Sequence, residues 1–135
     1  MLTHYIKTYP LGLLVTLAIL VLSLAPIPEV PAVEDVPLAD KWTHMVMYAT
    51  LTLTIWWQYL RSHKCISWQR LIAFGVLAPA TWGGLMELAQ AYLTTYRSGD
   101  WWDFVANSIG VVIGVVLGLA MRVKVGGRDN KLNAQ

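Results

Sequence analysis

From Thr8 to Pro28 the chain carries no charged residue. That run reaches the ~20 apolar residues a helix needs to cross a bilayer. A cleavable signal peptide is the rival reading, because Lys7 precedes a run ending in Ser23-Leu24-Ala25. Pro26 directly follows that small-residue site and impedes cleavage, and further apolar runs follow, so a retained helix is expected. Pro26, Pro28 and Pro31 end it.

Three more runs repeat the pattern, placing spans at about 10–28, 41–60, 71–93 and 101–121. The expected fold is all-α, an integral membrane bundle of four transmembrane helices. An N-terminal segment, 1–9, precedes the transmembrane domain, 10–121, and a basic tail, 122–135, follows it. Composition agrees: hydrophobic residues make up 56%, charged ones 13%, and mean hydropathy is +0.51. Cys65 is the single cysteine, which excludes an internal disulfide. Zinc-type cysteine pairs and glycine-rich phosphate loops are absent from the sequence, and no nucleic-acid partner is expected.

Charge placement sets the expected orientation. Lys7, Arg61, Lys64, Arg70, Arg122, Lys124, Arg128 and Lys131 fall on one side of these spans. Only Lys41 and Arg97 of the 10 basic residues fall on the other. By the positive-inside rule both termini are cytoplasmic, and the side holding every acid except Asp129 faces out. Trp56, Trp57 and Trp68 would mark the inner interface, and Trp42, Trp101 and Trp102 the outer one.

The polar residues converge on that outer side. On a helix, Asp100, Asp103, Asn107, Gly110 and Gly114 share one face, so two carboxylates and an amide lead into a glycine-lined stripe. At ~1.5 Å per residue, His44 lies ~6 Å below Asp40, and Glu87 ~9 Å below Leu93. Asp40, Lys41, His44, Glu87, Gln90, Arg97, Asp100, Asp103 and Asn107 thus occupy one layer. Ionisable groups at such depth normally face a bundle interior or a wet cavity.

Each has a plain structural reading. Asp40 and Asp100 begin helices as N-caps, and Asp100 with Asp103 resembles a capping box. Lys41 fits an interfacial snorkeller, and Gln90 and Asn107 fit interhelical hydrogen-bonding glue. Arg97 either pairs with an acid or holds an external anion. Glu87 resists such treatment. It sits where the helix dipole disfavours a negative charge, so it needs a cation, a metal or a proton. The stripe Ala80, Gly84, Glu87 and Ala91 places it near the close-contact face of its helix.

Asp40-Lys-Trp-Thr-His44, Glu87-Leu-Ala-Gln90 and Arg97-Ser-Gly-Asp100-Trp-Trp-Asp103-Phe-Val-Ala-Asn107-Ser-Ile-Gly110 together resemble the VanZ-like family of small bacterial membrane proteins, over about Asp40 to Gly118. The family is named for a protein conferring low-level teicoplanin resistance. The resemblance implies a multi-pass protein of the bacterial cytoplasmic membrane, acting in the cell envelope.

Three functions are compatible with these residues. In the first, the layer binds a lipid head group or lipid-linked envelope precursor, with Arg97 and Lys41 gripping phosphate and Asp40, Gln90, Asp100 and Asn107 contacting hydroxyls. In the second, it is an intramembrane hydrolase or transferase. His44 or Glu87 is then the general base, with Asp103 a third candidate catalytic group, and a divalent cation sits at the acidic cluster, on Asp100 and Asp103. In the third, the chain is a structural or partner protein whose polar layer only locks the helices. The topology is checked by reporter fusions: those after Arg61 or at the C-terminus should report the cytoplasm, and one at Glu34 the exterior. An exterior signal from the C-terminus would overturn the orientation.

Overall fold

A computed structural model describes residues 6–26, 38–63, 65–95 and 99–132, with side chains described as far as Arg122. The described residues are all-α and contain no strand. Helix α1 is Pro10–Leu24 and α2 is Ala39–Ser62. Helix α3 runs Trp68–Leu93, and α4 is Trp101–Leu132. The first helix is shorter than the expected 10–28, and the last continues past the expected end at 121.

Local chemistry sets these limits. Pro10 opens α1 at a position whose N–H would be unpaired anyway. Ala25, next to Pro26, is extended at φ −77°, ψ 141°, because a residue before proline avoids the helical region. Gly12, in the first turn, donates its N–H to Gln58 Oε1 of α2 at 2.8 Å. At the other end Gln90 Nε2 of α3 donates to the Ser23 carbonyl at 3.1 Å. Both ends of α1 are thus satisfied by amide side chains of neighbouring helices.

Helix α3 is α-helical over Trp68–Ile72 and Ala78–Leu93, with a π-helical stretch, Ala73–Leu77, between them. Pro79 is the cause. It has no N–H for the Gly75 carbonyl four residues back, and its ring would clash there in a regular helix. The released carbonyl accepts the indole N–H of Trp56 at 3.1 Å. A β-carbon at Gly75 would lie 2.6 Å from that nitrogen, so the glycine lets the indole in.

The tightest packing joins α2 and α4. A β-carbon on Gly110 would collide with the Met45 carbonyl, and one on Gly114 would lie 2.6 Å from Thr52 Cβ and 2.8 Å from the Ala49 carbonyl. One on Gly118 would lie 2.7 Å from the Trp56 ring. The small-residue stripe anticipated on span four is therefore the seam along which the two backbones approach. The corresponding expectation for α3 is corrected. Gly83, outside the anticipated stripe, makes the close approach to Asn107 and Tyr48, whereas Gly84 stands 3.5 Å from Phe104.

Ile19, Tyr48, Leu51, Met86 and Val111 form the main core, and Trp56, Tyr59 and Leu71 a second cluster. Trp56 is therefore a core residue and not part of an interfacial belt, while Trp57 and Trp68 are exposed. Much of the exterior is apolar: Leu14, Leu17, Val46, Phe74, Leu77, Leu88, Val112 and Val116 all face outward. Among the described residues two helical stretches, Trp68–Leu93 and Trp101–Arg122, are long and apolar enough to cross a membrane, and Pro10–Leu24 is apolar but shorter. Helix α2 falls outside that class because threonines, His44 and Gln58 dilute its hydropathy.

The seam gives a direct test. Gly114→Val should destabilise the protein by at least ~1–3 kcal/mol, the usual cost of overpacking, because rigid backbone leaves the new atoms no room. Gly84→Ala should be nearly neutral. Thermal unfolding in detergent distinguishes them, and equal midpoints would contradict the seam.

Candidate functional site

The first turn of α2 lies against the first two turns of α4. Lys41 Nζ donates to Asp100 Oδ2 at 3.0 Å and to Asp103 Oδ1 at 2.8 Å. One ammonium thus bridges two carboxylates. Lys41 is thereby occupied by acids of the cluster, and the Asp100–Asp103 pair expected to hold a cation already shares one.

Asp100 also caps α4, its Oδ1 accepting the Trp102 N–H at 2.9 Å. That bond, and then the Lys41 ammonium, hold its carboxyl below the usual carboxylate range. The capping box is not completed by Asp103. Glu87 takes its place, Oε2 accepting the Asp100 N–H at 3.3 Å. Gly99 permits this contact, since a β-carbon there would collide with the Glu87 carbonyl.

Behind this rim a buried chain links three helices. Asn107 Nδ2 of α4 donates to Glu87 Oε1 of α3 at 3.2 Å. That fixes the amide's direction and turns Asn107 Oδ1 toward His44 Nδ1 of α2, 3.0 Å away. An oxygen can only accept, so His44 Nδ1 carries the proton. Its other nitrogen, Nε2, faces Asp40 Oδ1 at 3.7 Å and Asp103 Oδ2 at 3.8 Å, both beyond hydrogen-bond length. His44 and Asn107 are 3% and 0% exposed, so water does not set these positions. Among the described residues, Asp40, His44 and Asp103 bring their ligand atoms within 4.8 Å of one another and could hold a metal ion.

The structure therefore gathers Asp40, Lys41, His44, Glu87, Asp100, Asp103 and Asn107. It does not bring Gln90 to them by any described contact. That side chain is buried and serves the C-terminal end of α1. Arg97 lies outside the described residues. Asp40 sits within the first turn of α2 and is not its N-cap, a place taken by Leu38 at φ 61°. One member went unnoticed in the sequence. Tyr48 packs beside Asn107 across Gly83, and its buried hydroxyl has no hydrogen-bond partner among the described residues. Its spacing of i+4 from His44 places both on one face of α2.

Glu87 and Asp100 also border a cleft of about 610 Å³ between α3 and α4. Its other walls include Ala80, Gly84, Leu88, Ala91 and Phe104. Of the small residues expected to make α3 a close-contact helix, Ala80 and Gly84 line this cleft, while Ala91 also packs closely on Gly99.

No family model matches the chain, and no solved structure does. An uncharacterized protein of the fission yeast Schizosaccharomyces pombe is 30% identical over 115 residues, 84% of this chain. The chain spans 65% of that relative's length. These findings overturn the VanZ-like resemblance and, with it, the placement in a bacterial cytoplasmic membrane and the link to teicoplanin: the match found is to a eukaryotic protein. Acids at helix starts and amides between helices recur wherever helices are capped and locked, which is why short polar motifs misled.

Lys41 and Asp103 form the most consequential charged contact. Lys41→Met should cost ~1–3 kcal/mol, less than the ~3–5 kcal/mol of a fully buried pair because 28% of the lysine side chain stays accessible. Adding Asp103→Asn should recover most of the loss, since the stranded charge is then gone. A double-mutant cycle by thermal unfolding checks this, and simple additivity would contradict it.

Proposed function

We propose that the chain is a four-span integral membrane protein that binds the head group of a membrane lipid, with the acyl chain lying in the cleft between α3 and α4. The observation that carries this reading is the double position of Glu87. It lines an apolar cleft on one side and joins the His44–Asn107 chain on the other. Apolar walls ending in hydrogen-bonding carboxylates suit an amphiphile.

The apolar exterior supports placement in a bilayer, where side chains such as Leu17, Phe74 and Val116 need no water-facing substitute. Helices α1 and α2 complete the set of four by packing on the two longer apolar ones. Head-group chemistry follows from the charges. With Lys41 held by Asp100 and Asp103, the cleft presents carboxylate acceptors, which favours amine or hydroxyl groups over bare phosphate.

A second reading rests on the same chain of hydrogen bonds. The line from Glu87 through Asn107 to His44 would suit general-base chemistry on a lipid ester or phosphodiester, with Glu87 the group nearest the cleft. Binding without turnover distinguishes the first reading from this one.

The test uses protein purified in detergent and lipids of identical chains with ethanolamine, inositol or choline head groups. Ethanolamine or inositol lipid should raise the thermal midpoint by several degrees, and choline lipid, which lacks a donor, should not. Gly84→Leu, which fills the cleft, and Glu87→Gln, which removes the charge, should each abolish the difference while the protein still accumulates. Equal stabilisation by all three lipids would overturn head-group recognition.

A further inference from the structure

We propose that Asp40, His44 and Asp103 bind a single divalent transition ion of the zinc or manganese class. The inference rests on geometry at His44 and does not depend on the lipid reading. The His44 side chain is 4% accessible, and its Nδ1 proton is committed to Asn107, whose own amide is oriented by Glu87. That leaves Nε2 with no hydrogen bond among the described residues, aimed between Asp40 Oδ1 and Asp103 Oδ2. A bare nitrogen lone pair facing two carboxylates is repulsive unless a positive species sits between them.

The distances favour an ion over a proton. A proton on Nε2 would draw one carboxylate into a hydrogen bond of ~2.7–2.9 Å. Instead the nitrogen stands almost evenly, 3.7 and 3.8 Å, from the two oxygens. Ligand atoms on one tetrahedral ion with bonds of ~2.0 Å lie ~3.3 Å apart; the three atoms here all lie within 4.8 Å of one another, so an ion would draw the two carboxylates inward around Nε2. Asp103 can serve it without leaving Lys41, because Oδ1 holds the ammonium while Oδ2 faces His44.

Asn107 supplies what metal-bound histidines usually have, an oxygen accepting the far ring N–H and fixing the tautomer. One imidazole with two carboxylates selects zinc or manganese over magnesium and calcium, which prefer oxygen alone. Three protein ligands would leave a coordination position for water or for a ligand group.

The experiment uses the full chain carrying Cys65→Ser, which removes an exposed thiol that would bind zinc elsewhere. After chelation and dialysis against Zn²⁺, Mn²⁺, Mg²⁺ or Ca²⁺, elemental analysis should find one Zn²⁺ or Mn²⁺ per chain and no retained Mg²⁺ or Ca²⁺. Pulsed electron paramagnetic resonance of the Mn²⁺ form should show coupling to one histidine nitrogen. His44→Gln should abolish that coupling, and Asp40→Asn should weaken uptake at least ~10-fold. His63→Gln, at the opposite end of α2, should change neither.

If a variant fails to accumulate, the nitrogen coupling in the protein with native His44 still decides the matter. Uptake no greater than that of His44→Gln, or bound Mn²⁺ without nitrogen coupling, would overturn the site. Lipid stabilisation is measured separately in chelated protein, so failure of one proposal is distinguishable from failure of the other.

Discussion

The close approach of α2 and α4 is the constraint on which the rest depends. Gly110, Gly114 and Gly118 let the α4 backbone rest on Met45, Ala49, Thr52 and Trp56 with no side chain between. Asp103 and Asn107 continue the same stripe upward at helical spacing. Once the glycines are seated, those two residues must meet the Lys41 and His44 turns of α2. A side chain at any of these glycines would push the helices apart and lengthen every polar contact above it.

Helix α3 completes the cluster and also opens it. Gly83 brings α3 against Asn107 and Tyr48, which puts Glu87 within reach of the Asn107 amide and of the Asp100 N–H. The next residue along, Gly84, faces Phe104 across the cleft between α3 and α4. One carboxylate therefore belongs at once to a packed interior and to an apolar cavity. Buried polar groups are costly unless paired, and nearly all of these are paired, which makes the Tyr48 hydroxyl, buried with no partner among the described residues, informative.

The polar network also explains how an interior of this kind is tolerated. Lys41 divides its hydrogens between two acids, Asn107 divides its amide between donor and acceptor roles, and Glu87 divides its oxygens between a side chain and a helix N-terminus. Each group answers two others across a helix boundary. Such a layer fixes the relative rotation of α2, α3 and α4, because turning any one helix would break hydrogen bonds that hold a charged side chain.

What the sequence determined is what helical geometry makes obligatory. The rise per residue set His44, Glu87 and Asn107 at matching depths, and the spacing of Asp103, Asn107, Gly110 and Gly114 set one face of α4. Pro26 marked the end of α1, though the helix stopped sooner than the apolar run because Ala25 had to become extended. What only the tertiary structure decided is partner choice between helices. Gln90 lies at a depth that suited the cluster, yet its rotation about α3 carries it to α1 and the Ser23 carbonyl. Trp56 has the composition of an interfacial residue, yet the carbonyl released by Pro79 draws it into the core. Depth along a helix is fixed by a constant rise, whereas the azimuth that picks a neighbour depends on how all the helices pack, and a one-dimensional pattern does not carry that information.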